Sequence, residues 1–92
     1  MSEYDWDTRK GRLNAAKHGV TFVEAESVVL SPLAAREPDV AHSTVEQRIK
    51  VIGGSALGEL LVVIVSMGGP RPRIISARRA TKRERHAYED RP

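Results

Sequence analysis

The stretch VEQRIKVIGGSALGELLVVIVSMGGPRPRIISAR, Val45 to Arg78, decides how this chain folds. Its first part alternates. Val45, Gln47, Ile49 and Val51 fall on one side, and Glu46, Arg48 and Lys50 fall on the other. A period of two marks a strand with one buried face, here Val45 to Ile52. GGSALGE reads as a turn. LLVVIVS, Leu60 to Ser66, is an unbroken run rich in β-branched residues, as expected of a central strand. MGGPRP is the next connection, and RIISAR, Arg73 to Arg78, is a third strand. Connections this short join antiparallel neighbours, so the stretch predicts a meander.

Working outward, helix signals flank the strands. Asp7 precedes TRKGRLNAAKH and can accept from the free amides of a first turn. Gly19 ends that helix, because glycine takes the left-handed conformation at little cost. Leu13, Ala15 and Ala16 are its expected buried side, with Trp6 nearby, and Gly11 weakens it by about 1 kcal/mol relative to alanine. Thr21 and Glu24 form a capping box before FVEAESVVL, which Pro32 stops. Thr81 and Glu84 form a second one before KRERHAYE. The segment from Ser31 to Ser43 is irregular and offers an edge strand; SEYD, Ser2 to Asp5, is a further candidate for edge pairing. The prediction is an α+β fold of two N-terminal helices, a small antiparallel β-sheet and a C-terminal helix. No linker or repeat divides it, so residues 1–92 read as one domain.

Composition narrows the function. Hydrophobic residues make up 40% and charged residues 29%, as in a folded globular chain. The absence of cysteine excludes disulfides and thiolate zinc sites. No N-terminal segment has the basic-then-apolar order of a signal peptide. The longest apolar run, Leu60 to Val65, is too short to span a bilayer. A cytoplasmic protein without membrane association is expected. Net charge is +3, but residues 71–92 hold eight Arg/Lys against three Asp/Glu, whereas residues 1–70 hold seven against nine. That asymmetry favours a polyanionic partner, nucleic acid or an acidic protein. A solvated basic helix would give the same count.

The chemistry-bearing residues form two groups. Glu46, Arg48 and Lys50 share one strand face, and burying three charges is costly, so they look outward. They read equally as an ordinary solvated face or as a carboxylate base beside two cations that stabilise a pentacovalent phosphate. Arg73 and Arg78 flank IISA at an odd separation, which puts them on opposite faces of a regular strand. Arg78, Arg79, Lys82 and Arg83 crowd the start of the last helix, against its dipole, as though an anion were expected there. Lys17 and His18 complement the negative end of the first helix, which is sufficient to explain them; His18 is also suited to donate a proton near neutral pH. Tyr88 is the expected anchor of a last helix that is charged nearly all round. Three scattered histidines have no metal-binding spacing, and GGSALGE lacks the Lys-Ser/Thr of a phosphate-binding loop. Neither a metal nor a cofactor is expected.

These residues resemble a known family. WD…K…N..KHGVTF.EA near the start, ER.K.IG in the middle (here Glu46 to Gly53) and RIISAR.AT..ER..Y at the end look like the BrnT toxins. The match runs from Trp6 to Tyr88. The resemblance implies a fold similar to RelE and a ribonuclease toxin of a type II toxin–antitoxin system. It implies metal-independent cleavage of messenger RNA, in which the ribose 2′-OH attacks the adjacent phosphate. It also implies a ribbon-helix-helix antitoxin resembling BrnA, a heterotetramer with it, and contact with operator DNA only through it. The family's polar positions fall on Lys17, His18, Glu46, Arg48, Arg73, Arg78, Glu84 and Tyr88. The resulting expectation has Glu46 as base, His18 as acid, and Arg48, Arg73 and Arg78 on the phosphate. Lys17, Lys50, Arg79, Lys82 and Arg83 would bind the RNA backbone. The competing expectation is a non-catalytic scaffold that binds an antitoxin and modulates operon repression.

Overall fold

The structure is a computed structural model that describes residues 3–39 and 47–92. Asp7 accepts from the Lys10 amide at 2.9 Å and starts helix α1, Thr8–His18. Gly19 closes it in the left-handed region at φ 70°, its amide bonded to the Ala15 carbonyl. Thr21 caps helix α2, Phe22–Val29, through the Glu24 amide. The Glu24 carboxylate does not return to complete the box. It accepts instead from the Ser55 hydroxyl at 2.7 Å, tying the start of α2 to the turn after β2.

Among the described residues four strands follow: β1 Ala35–Pro38, β2 Arg48–Gly54, β3 Leu60–Ser66 and β4 Arg73–Arg79. They form one antiparallel sheet in the order β1-β2-β3-β4, and helix α3, Lys82–Glu89, ends the fold. This is the α+β arrangement the sequence predicts, with the edge strand found within Ser31 to Ser43. The N-terminal segment pairs as well: Asp5 forms a parallel bridge to Arg73. Strand β2 runs two residues beyond Ile52, into the glycines read as a turn. Gly53 has a reason to be there, because a Cβ would lie 3.0 Å from the Ala34 Cβ.

Helices α1 and α2 cover one face of the sheet. Val51, Leu61, Val63, Val65, Ile74 and Ala77 meet Val20, Phe22, Ala25 and Val28 there, all buried. Trp6 packs edge-on against Phe22 at 6.3 Å. The buried residue of α1 is not the one its apolar pattern names. Leu13 is 60% exposed and Ala16 is exposed, whereas Asn14 is buried. Its amide donates to the Ala77 and Val20 carbonyls (2.9 and 3.0 Å), and its oxygen accepts from the Ala77 amide at 3.2 Å. On the side away from β3, no strand among the described residues pairs with β4 at Ala77, and the Asn14 amide takes the ladder's place.

Candidate functional site

The other face of the sheet bears Arg48, Lys50, Arg73 and Arg78. Cross-strand partners project from the same face. The register pairs Arg48 with Ser66, Lys50 with Ile64 and Ile52 with Val62. On the far side of β3, Ser66 faces Arg73, Ile64 faces Ser76 and Val62 faces Arg78. Ile75 is an extra residue at a register shift, a β-bulge. The odd separation of Arg73 and Arg78 predicted opposite faces. The bulge overturns that by resetting the alternation, so their partners Ser66 and Val62 lie four residues apart on β3 and both arginines share a face.

A hollow of about 360 Å³ opens on this face. Arg48 from β2 and Arg78 and Ser76 from β4 line it, over Ile64; Lys17 and His18 reach it from the end of α1. Gly19 lets the chain turn at that point, and Arg79 holds the turn by donating to the His18 carbonyl at 3.2 Å. Of the sequence-derived set, the structure thus brings together Arg48, Arg78, Lys17 and His18. Arg73 lines a neighbouring hollow, where it pairs with Asp5 at 3.0 Å. Lys50 lies under α3 in a third hollow. Arg79 pairs with Glu59 at 3.4 Å, and Lys82 and Arg83 lie exposed on the first turn of α3. Glu46 lies outside the described residues.

One anion beside the crowded cations is internal, and composition did not disclose it. Glu84 grips Arg78 with both oxygens, Nη1–Oε1 2.7 Å and Nη2–Oε2 3.0 Å. Lys50 Nζ approaches the same carboxylate at 3.2 Å, and the Thr81 amide donates to it at 2.8 Å within a complete capping box. The Arg78 guanidinium, above all, holds the Glu84 carboxyl well below the usual carboxylate range, against the opposing effect of its burial. Glu84 in turn favours the charged form of Arg78. The sequence marks Glu84 as a helix cap; its grip on Arg78, across the joint between β4 and α3, has no periodic signal. Among the described residues no group of His, Asp or Glu is placed to hold a metal ion.

The family model described as "Ribonuclease toxin, BrnT, of type II toxin-antitoxin system" matches residues 6–84. This chain belongs to the BrnT family. The BrnT ribonuclease toxin of Brucella abortus, known from a crystal structure, is similar in fold, with a TM-score of 0.65 and 27% identity. The alignment covers 86% of this chain and 96% of the Brucella one. No curated protein sequence is significantly similar. As a BrnT toxin of a type II system, the protein has RNA as its target and an antitoxin as its partner. No helix among the described residues is long and apolar enough to cross a membrane.

Proposed function

We propose that this BrnT toxin cleaves messenger RNA without a metal ion, in the hollow between Arg48, Arg78 and the end of α1. The observation that supports this most is the meeting of two strand guanidiniums, Lys17 and His18 in one concave surface. Two arginines and a lysine around a small hollow suit a phosphodiester, whose charge grows as a fifth oxygen bonds to phosphorus. In the proposed step a base takes the proton of the ribose 2′-OH and the oxygen attacks the adjacent phosphorus. The bond to the 5′-oxygen breaks, and that oxygen takes a proton from an acid. The products are a 2′,3′-cyclic phosphate and a free 5′-hydroxyl.

His18 is the proposed acid and Glu46, two residues before Arg48 in sequence, the proposed base. Arg48 and Arg78 hold the reacting phosphate. Arg73, on the same face but in the next hollow, contacts an adjoining phosphate once it exchanges Asp5 for RNA. Lys17, Lys50, Arg79, Lys82 and Arg83 guide the strand. Residues 1–92 act as one toxin domain of RelE-like kind in the cytoplasm, where messenger RNA is. The antitoxin is a ribbon-helix-helix protein resembling BrnA, which forms a heterotetramer with the toxin and carries it to operator DNA.

The test is RNA cleavage by purified, antitoxin-free protein in EDTA, with fragment ends identified. Cyclic phosphate ends are expected, with activity lost in Arg48→Ala and Arg78→Ala variants that stay folded. Folded wild-type protein that leaves RNA intact would overturn the nuclease reading in favour of an antitoxin-binding scaffold. Full activity in both variants would overturn the site.

A further inference from the structure

An arginine that is to hold a phosphate meets an apparent difficulty here, because a carboxylate already occupies it. The geometry resolves this. A guanidinium carries five N–H donors in a fixed plane. Glu84 takes one hydrogen of Nη1 and one of Nη2, the end-on pair. Nη1 also donates to the Arg79 carbonyl at 3.3 Å. By count, the hydrogens left are those of Nε and the second on Nη2. These form the side edge of the fork, two parallel donors spaced for two phosphoryl oxygens. No described residue takes that edge, and the Arg78 side chain is 40% exposed.

We propose that Glu84 is a positioning residue for the nuclease site, fixing the end-on edge of Arg78 so that its side edge meets the scissile phosphate. The inference rests on the nuclease reading above. Glu84 is well suited to the task because it is itself held. The Thr81 amide fixes Oε1, Lys50 approaches Oε2, and the side chain is only 17% exposed. Orientation thus passes from the helix backbone through a carboxylate to the guanidinium, with few free torsions along the way. Lys50 has a second part. A lone carboxylate would neutralise Arg78, whereas a second cation on the same carboxylate leaves the guanidinium attractive to an anion. Arg48 and Lys17 add charge from the other walls of the hollow.

Glu84→Gln separates this role from simple helix capping. Glutamine serves at the third position of a capping box, so the cap survives while the charge and one acceptor are lost. In steady-state cleavage of a short RNA, kcat is expected to fall by about tenfold or more, with KM within about twofold, as for a misplaced catalytic group. The decisive comparison is with Arg78→Lys, which has no fork to orient. In that background Glu84→Gln should change kcat by less than about twofold, the non-additivity expected of coupled residues. An equal loss in both backgrounds would mean a structural role and overturn the proposal, as would an unchanged kcat. Raised activity would mean that Glu84 competes with RNA, and would overturn it too. Wild-type protein that cleaves no RNA overturns this proposal together with the nuclease reading. Active wild type, a damaged Arg78→Ala and an unaffected Glu84→Gln overturn this proposal alone.

Discussion

At Asn14 one side-chain amide completes the hydrogen bonding that β4 leaves open. It serves both backbone groups of Ala77 and the carbonyl of Val20, all in the core. Removing it strands buried donors and acceptors, each worth about 1–3 kcal/mol. Asn14→Ala should therefore lower stability by about 3 kcal/mol. The check is a fall in the urea midpoint with an unchanged slope. Sequence reading missed this residue for a physical reason. Helix α1 has only a leucine and small residues to mark a face, so the search for an apolar stripe chose Leu13, and an asparagine scores as exposed. A buried polar residue is legible only through its partners, and Ala77 is 63 positions away in the chain.

At the level of elements, caps and alternation were legible and joints were not. Asp7, Gly19, Thr21 and Thr81 stand where the structure needs them, because each acts within a few residues of itself. The bulge at Ile75 changes which face Arg73 occupies, yet nothing in RIISAR announces an extra residue. Helix α3 shows the same limit. None of its residues is buried, and its hold on the sheet is the Glu84 cluster, together with Tyr88 and Arg91 donating to the Leu33 carbonyl at 3.4 and 2.7 Å. The expected anchoring role of Tyr88 is thus shared with a carboxylate. That makes α3 sensitive to acid. The folded-state pKa of Glu84 is depressed from an ordinary 4.5, so its stabilisation is fully present above that value. It is lost as pH falls from 4.5 towards the lower folded value. Amide-exchange protection of α3 should decline across that acid range before that of α2, and Glu84→Gln should flatten the dependence.

For the whole molecule, the charge asymmetry read from the sequence becomes a surface. Helices α1 and α2 bury one side of the sheet, and Arg48, Lys50, Arg73 and Arg78 share the other. The sequence placed Arg48 and Lys50 there, since parity along β2 needs no long-range information. It could not bring Lys17 and His18 to Arg78, because that meeting depends on how α1 lies across the sheet. RNA binding should be strongly salt-dependent. Three cations at the hollow give a log–log slope of about −2 for a single strand, and about −6 if Arg73, Lys50, Arg79, Lys82 and Arg83 also engage. Binding of a 2′-deoxy-substituted, uncleavable strand at several salt concentrations checks this. Lys17→Ala should reduce the slope by about 0.7.

The closure of β4 by Asp5 at one end and Asn14 nearer the other has an effect beyond the site. Exposed strand borders are where proteins stick to one another and start fibrils. Here one border is covered by Asp5 and by the Asn14 amide, and the opposite strand spans four residues and finishes in a proline. Trimmed on both sides in this way, the sheet offers a like molecule little strand edge to zip onto.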